Sequence, residues 1–351
     1  MATDFKSIPL IDISPLVEKW DDPNLAQDEG VAEVVRQLDR ACREAGFFYV
    51  KGHGIRDSLV KDIRSVSRQF FHLPYEEKLK SNSLRLLDTG CSVGYQRVGE
   101  NITKGVPDMH EAIDCYREVK PGMYGRLGEA MEGCNKWPSD PPNFKDLMEE
   151  YVNLCTGLSR KIMRGIALAL GAPMDVFEGN RAGDPFWVFR VIGYPVVHHA
   201  NGQEMPKTET DVGCGAHTDY GTAFGHSMSI LNVRNSNGEW ISAIPVPGTF
   251  VCNIGDMLKI LTNGEYESTL HRVINNSPKY RVCVAYFYEI TNGNLIMFSP
   301  YVCFFLNDQP NFDAAIEPLD TCVQRTGGTR RFDSAVYGKH LVSKVLTNFV
   351  L

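Results

Sequence analysis

The sequence is organised around the stretch at residues 216–220, Ala216-His217-Thr218-Asp219-Tyr220, and a single histidine far downstream, His271. On a β-strand, residues two apart point to the same face, so a strand here would direct His217 and Asp219 at one point. A third ligand has to come from another strand, and His271 lies in the strand-like run 267–274. The spacing therefore predicts a metal site built on two strands of a β-rich core.

Two histidines and one carboxylate on one face of an octahedron leave three positions open, as in non-haem Fe(II) oxygenases. A His-x-Asp triplet alone is a weak signal, because such triplets are common in surface turns. Arg281 strengthens the prediction of a metal site. It follows His271 by ten positions and lies in an apolar run, where a guanidinium is costly to bury without an anionic partner. The planar fork of arginine suits a carboxylate. We predict an iron site at His217, Asp219 and His271 whose acidic co-substrate binds Arg281.

Other short motifs accompany these residues. They are Ile8-Pro9-Leu10-Ile11-Asp12, Gly46-Phe47-Phe48-Tyr49-Val50, Gly52-His53-Gly54, Phe70-Phe71-His72-Leu73-Pro74, Asn253-Ile254-Gly255-Asp256 and His271-Arg272-Val273. Through this set the chain resembles the plant soluble 2-oxoglutarate/Fe(II)-dependent dioxygenases, the group similar to isopenicillin N synthase and the gibberellin oxidases. Within that group it is most similar to a small clade that includes a dark-inducible leaf protein.

The resemblance implies a fold, a reaction and a set of cofactors. The fold is α+β, with a double-stranded β-helix (jelly-roll) core and N-terminal and flanking helices. The cofactor is Fe(II), the co-substrates are 2-oxoglutarate and O2, and ascorbate supports the activity. The reaction oxidises a small organic metabolite, by hydroxylation or desaturation, with release of succinate and CO2. Hormones, phenolics and alkaloids of plant secondary metabolism are the candidate substrates.

Four further site residues follow from the resemblance. Similar enzymes carry Asn-x-Tyr where this chain has Ile192-Gly193-Tyr194, so Tyr194 is expected at the co-substrate carboxylate. Their Arg-x-Ser stands here as Arg281-x-Cys283, so Cys283 is a weaker candidate, because a thiol is a poorer donor than a hydroxyl. A long loop at residues 81–110 lines the substrate mouth in similar enzymes, which makes Tyr95 and Arg97 substrate candidates.

Periodicity and length indicate one structural unit, residues 1–351. Apolar stripes at helical spacing predict helices at Val31–Ala45, Ser58–Phe71 and Phe144–Leu170, and Phe186–Pro195 reads as a strand. We expect a mostly helical N-terminal part at 1–175 and the jelly-roll core at 183–290. Residues 290–310 are interpreted as an inserted hydrophobic segment, and 311–351 as a C-terminal return with a helix.

Composition excludes several partner classes. A formal net charge of −7 argues against nucleic acid and anionic membrane as partners. The ten cysteines show no CxxC pair, which favours reduced thiols in a cytoplasmic protein. No apolar run reaches the length of a membrane span. The expected partner is a small-molecule substrate, and the expected state is a monomer.

Two other functions stay open at this point. Residues 222–235 lack the leucine-rich strand that follows His-x-Asp in similar enzymes, so the chain could be a folded relative with little or no catalytic activity. The same three ligands could also serve a zinc hydrolase, although no general base stands at a recognisable spacing.

Overall fold

The computed structural model describes residues 3–81, 83–85, 92–118, 134–178, 186–196, 212–219, 222–226, 230–275, 277–289, 315–332 and 335–336. Within them, two antiparallel-rich sheets face each other and helices cover the outer side of the larger one. The predicted α+β class with a jelly-roll core is confirmed. None of the described helices is long and apolar enough to cross a membrane.

The helices follow the apolar stripes of the sequence. Their bounds are α1 Ser14–Glu18, α2 Glu29–Glu44, α3 Asp57–Phe71, α4 Tyr75–Leu79, α5 Phe144–Ala169, α6 Asp256–Leu261 and α7 Asp320–Arg325. The Asp28 side chain caps α2 by accepting a hydrogen bond from the Val31 backbone at 3.0 Å. After α2, Gly46 adopts φ +64°, a left-handed conformation that favours glycine, and the chain enters the next strand.

The larger sheet has eight strands in the order β1-β2-β14-β11-β16-β9-β8-β5. Their bounds are β1 Leu10–Asp12, β2 Phe47–Lys51, β5 Tyr95–Gln96, β8 Glu111–Tyr116, β9 Phe186–Tyr194, β11 Thr222–His226, β14 Phe250–Asn253 and β16 Arg281–Glu289. The N-terminal strands β1 and β2 are therefore part of the same sheet as the strands of the predicted core.

The smaller sheet has four strands in the order β10-β15-β12-β13. They are β10 Val212–His217, β12 Ile230–Arg234, β13 Trp240–Ala243 and β15 His271–Ile274. Short two-stranded pairings involve β3 Ser83–Arg85, β4 Ser92–Val93, β6 Ile102–Thr103, β7 Val106–Pro107, β17 Ala315–Ile316 and β18 Ala335–Val336.

Helices α2, α3 and α5 pack together against the outer face of the larger sheet. Buried apolar side chains of these helices, such as Leu38, Ile63 and Ile162, form one continuous core with outward-facing residues of the strands. This layer fixes the larger sheet from behind and leaves its inner face directed at the smaller sheet.

Two expectations from the sequence concern segments beside the core. The expected loss of a wall strand after Asp219 is wrong: β11 forms there and pairs with both β14 and β16. The inserted segment predicted at 290–310 lies outside the described residues, as does about half of the return predicted at 311–351.

Candidate metal centre

The three predicted ligands meet at one point between the two sheets. Ligand atoms of His217, Asp219 and His271 all lie within 4.8 Å of one another. The Nε2 atom of His217 is 3.4 Å from Oδ1 of Asp219, and Nε2 of His271 is 3.3 Å from its Oδ2. All three residues are about 5% exposed or less. The cluster is therefore a compact, buried donor set.

Only two of the three predicted ligands lie on strands, whereas the sequence predicted that His217 and Asp219 share one strand. His217 is the last residue of β10 and pairs with His271, the first residue of β15. Asp219 follows the strand rather than lying within it, and its backbone carbonyl accepts a hydrogen bond from the Asp256 amide at 2.9 Å. The start of α6 therefore holds Asp219 in place, a role that strand alternation alone does not supply.

Neighbouring groups orient each ligand. The Nδ1 atom of His217 donates to the Gly215 carbonyl at 2.7 Å, and Nδ1 of His271 donates to the Thr269 carbonyl at 3.0 Å. A carbonyl only accepts, so both imidazoles present an Nε2 lone pair to the cluster. Asn253 donates from Nδ2 to Oδ2 of Asp219 at 2.8 Å. The sequence motif contained Asn253, but only the pairing of β14 within the sheet reveals this contact.

The electrostatics suit metal ligation. Burial, together with the nearby His271, lowers the pKa of His217 below its ordinary value. Burial alone would raise the pKa of Asp219, but the neighbouring imidazoles of His271 and His217 hold it below its ordinary range. Burial also opposes charge on His271, yet the Asp219 carboxylate outweighs it and raises that pKa. A bound cation would replace that proton.

One observation tests whether a metal fits. The Oδ1 atom of Asp219 is buried and accepts no hydrogen bond from the described residues. A buried anionic oxygen without a donor is costly, and a cation between it and the two Nε2 atoms removes that cost. Two imidazoles and one carboxylate match the facial set that leaves coordination positions open for Fe(II). The residues present therefore fit the predicted iron.

Arg281 and Tyr194 lie together on the larger sheet. They are directly opposite each other on β16 and β9, and the guanidinium carbon of Arg281 is 5.1 Å from the Tyr194 ring centroid. Arg281 also donates to the Asn275 side chain at 2.8 Å, and burial lowers its pKa. Cys283 packs with Tyr194 and with Val273 of the metal strand β15. The structure thus brings these three predicted residues to the face that looks toward the metal cluster.

The two predicted substrate residues have other surroundings. Tyr95 is buried and its hydroxyl donates to Oε2 of Glu111 at 2.7 Å. Arg97 is exposed, and its backbone amide donates to Glu100 at 2.9 Å. Their contact with substrate stays a prediction.

Glu111 is the centre of a buried network that the sequence did not reveal. Its Oε2 accepts a hydrogen bond from Lys78 at 2.6 Å as well as from Tyr95, and its Oε1 accepts one from Tyr280 at 2.8 Å. Tyr280 immediately precedes Arg281. The network therefore joins α4, β5 and β8 to the start of β16, at the residue next to the predicted co-substrate arginine.

Comparison with family models agrees with this site. Residues 8–140 match the model described as "non-haem dioxygenase in morphine synthesis N-terminal", and residues 191–290 match the 2OG-Fe(II) oxygenase superfamily. The second match contains all three metal ligands and Arg281.

Curated relatives match the whole chain. The homoarginine-6-hydroxylase of Glycine max is 61% identical over 354 residues, covering 100% of this chain and 99% of that protein. A homoarginine-6-hydroxylase of Arabidopsis thaliana is 59% identical and covers both chains completely. The 1-aminocyclopropane-1-carboxylate oxidase of Dictyostelium discoideum is 32% identical over 82% of this chain and 83% of its own length.

Solved structures share the fold. A Neurospora crassa protein crystallised with 2-oxoglutarate and thymine has a TM-score of 0.74 at 25% identity, covering 98% of each chain. JOX2 crystallised with 2-oxoglutarate, Fe and JA has a TM-score of 0.63 at 29% identity, covering 96% of this chain and 89% of its own. Both of these proteins were crystallised with 2-oxoglutarate, the acid that Arg281 of this chain is predicted to bind.

Proposed function

The chain belongs to the plant 2-oxoglutarate/Fe(II)-dependent dioxygenases, and from this premise we propose that it hydroxylates homoarginine or a closely similar basic amino acid. The observation that carries the proposal is end-to-end identity of 59–61% with homoarginine-6-hydroxylases from three plants. It is supported by a buried group of two histidines and one carboxylate that could hold a metal ion. The comparisons give no support to a non-catalytic relative or to a zinc hydrolase.

The proposed metal ligands are His217, Asp219 and His271. When bound there, Fe(II) supplies the dioxygen chemistry that couples decarboxylation of 2-oxoglutarate to oxidation of the substrate. The protein holds the donor atoms at fixed positions through the Asn253 side chain and the Asp256 amide, which both bond to Asp219. Burial of the cluster keeps bulk water away from the reacting atoms.

Arg281 is proposed to bind the far carboxylate of 2-oxoglutarate. Its guanidinium lies on the inner face, held by Asn275 and stacked near Tyr194, which restricts its orientation before the ligand arrives. Tyr194 is proposed to contribute a hydroxyl, and Cys283 to form part of the apolar wall beside it.

The proposal is tested by turnover with purified protein, Fe(II), ascorbate, 2-oxoglutarate and homoarginine. Succinate release and loss of homoarginine should rise together in a one-to-one ratio. Lysine, arginine and 1-aminocyclopropane-1-carboxylate serve as comparison substrates. No succinate above the substrate-free rate with homoarginine, and a clear rise with another compound, would show that the substrate is different.

We further propose that the enzyme acts as a cytoplasmic monomer on a free metabolite. The acidic net charge of −7 supports the absence of a polyanionic partner, and every cysteine that the structure describes is a free thiol. Light scattering coupled to size exclusion tests the oligomeric state.

A further inference from the structure

Strand β10 carries a bulge immediately before the metal ligand His217. Cys214 pairs with Val273 of β15 and His217 pairs with His271, so three steps along β10 correspond to two steps along β15. An extra residue of this kind interrupts the ladder of hydrogen bonds and re-aims the side chains beside it. The direction of the His217 imidazole therefore depends on what holds the backbone between Cys214 and His217.

Asp108 holds this bulge from outside the sheet. Strand β10 lies at the edge of the smaller sheet, and Oδ1 of Asp108 accepts a hydrogen bond from the Gly215 amide at 3.1 Å. The carbonyl of the same glycine accepts a hydrogen bond from Nδ1 of His217 at 2.7 Å. The Cys214 sulfur is also 3.5 Å from Nδ1, but sulfur is a weak acceptor. Two hydrogen bonds therefore link Asp108 to His217 through Gly215.

Asp108 is itself held at a fixed position. It is 1% exposed, and the hydroxyl of Thr103 donates to its Oδ2 at 3.0 Å. Its backbone amide donates to the Asn101 carbonyl at 2.8 Å, and its carbonyl accepts a hydrogen bond from the Gly99 amide at 3.0 Å. The carboxylate is therefore an immobile acceptor for the Gly215 amide.

The segment 101–110 lies close along the edge strand. Nδ1 of His110 donates to the Gly213 carbonyl at 2.7 Å, two residues before Gly215. A Cβ at Gly215 would be 2.6 Å from Cγ2 of Thr103, so the segment can approach this closely only because residue 215 is glycine. The loop expected at the substrate mouth thus contacts the strand that carries His217.

We propose that Asp108 is a positioning residue for the metal ligand His217, an inference that rests on the ligand set of the proposed function. By holding Gly215, it keeps the carbonyl in place that accepts from Nδ1, so the lone pair of Nε2 is directed at the cluster. Loss of an orienting partner of a metal-bound histidine typically costs about 10- to 100-fold in metal affinity. Because Asp108 acts through one further hydrogen bond, we expect the lower end of this range.

The affinity of the purified protein for Fe(II) tests the proposal, measured under argon by competition with a chromogenic chelator. Asp108→Ala removes the acceptor, whereas Asp108→Asn keeps a side-chain oxygen that can accept from the Gly215 amide. Thr103→Val is the matched control, because it removes another hydrogen bond of the same carboxylate and leaves the bond to Gly215. Visible absorption of the Co(II)-loaded proteins reports the ligand geometry independently of turnover.

Asp108→Ala should weaken Fe(II) binding about tenfold and alter the Co(II) spectrum. Asp108→Asn and Thr103→Val should each stay within about threefold of wild type and keep its spectrum. At saturating Fe(II), Asp108→Ala should keep the wild-type KM for 2-oxoglutarate, because Arg281 is not part of this chain of contacts. Should Asp108→Ala not fold, Gly215→Ala gives a second test: its Cβ would displace the bulge from Thr103 and should also weaken Fe(II) binding about tenfold.

The outcomes separate this inference from the proposed function. Wild-type Fe(II) affinity in Asp108→Ala would overturn the role of Asp108. An equal loss in Thr103→Val would also overturn it, because packing of the loop and not the bond to Gly215 would then set the affinity. The expected pattern of Fe(II) affinities in a protein that does not oxidise homoarginine would overturn the proposed substrate and leave this inference standing. Absence of Fe(II) binding by wild type would overturn both.

Discussion

Replacing Gly193 by alanine should destabilise the enzyme and weaken 2-oxoglutarate binding. Gly193 lies on β9 between Glu111 of β8 and Val282 of β16. A Cβ at this position would overlap the Tyr280 hydroxyl, with the ring carbon Cζ at 2.9 Å and Phe71 at 3.0 Å. Tyr280 cannot turn away freely, because its hydroxyl donates to the buried Glu111.

The expected magnitude follows from these contacts. Overpacking costs about 1–3 kcal/mol, and displacing the Tyr280 hydroxyl loses a hydrogen bond to a charged group, about 1.5–3 kcal/mol. Gly193→Ala should therefore lower the free energy of unfolding by roughly 3–6 kcal/mol. Tyr280→Phe removes the hydroxyl but leaves Cζ 2.9 Å from the added Cβ, so alanine at position 193 should cost only the overpacking part, about 1–3 kcal/mol, in that background. The double variant should be more stable than the sum of the singles predicts, by at least about 1 kcal/mol.

Urea unfolding of the four proteins measures this coupling. Gly157→Ala is the matched control, since a Cβ there meets nothing within 4 Å and the residue lies inside α5. That variant should be neutral or up to about 1 kcal/mol more stable. Because Gly193 and Tyr280 adjoin Tyr194 and Arg281, Gly193→Ala should raise KM for 2-oxoglutarate more than KM for the substrate. Strict additivity of the two single changes would refute the proposed contact.

Three further predictions concern buried charged residues. Asp219→Ala removes the anionic ligand, so iron content should fall from about one per chain to near zero; unchanged stoichiometry would contradict the ligand assignment. Arg281→Lys keeps the charge but loses the planar fork, so KM for 2-oxoglutarate should rise at least about tenfold with little change in Tm; a normal KM would place the carboxylate elsewhere. Asp114 has a folded pKa of about 6 against an ordinary 3.8, so its ionisation costs stability as pH rises from 4 to 7. Asp114→Asn should be more stable than wild type at pH 7 by up to roughly 3 kcal/mol, and the difference should vanish near pH 4 in thermal unfolding scans.

The sequence predicted the parts of the fold that depend on local pattern. The helix predicted at Val31–Ala45 is observed at Glu29–Glu44, and the strand predicted at Phe186–Pro195 is observed at Phe186–Tyr194. Periodic burial of apolar residues determines these elements, and periodicity is visible in one dimension. The candidate metal ligands could also be predicted from the sequence, because their residue types and spacing form a recognisable pattern.

The remaining features depend on which strands become neighbours. Nothing local indicates that Glu111 collects hydrogen bonds from Lys78, Tyr95 and Tyr280, which come from three other parts of the chain. The strand after Asp219 was also misjudged from its composition, because pairing with β14 and β16 stabilises β11 without a leucine run. Pairing of this kind is set by the whole sheet.

Strands β9 and β16 are held together on the outer face of the sheet and carry the proposed co-substrate residues on its inner face. On the outer face, the bond from Tyr280 to Glu111 is made above Gly193 and holds the strand ends that carry Arg281 and Tyr194. On the inner face, four residues before Tyr194, Arg190 faces Asp114. A change at Tyr280 or Gly193 should therefore affect mainly the binding of 2-oxoglutarate. Because alternation along β9 puts Gly193 on the outer face and Tyr194 on the inner face, the KM change in Gly193→Ala tests the register of this sheet as well as the proposed role of Tyr194.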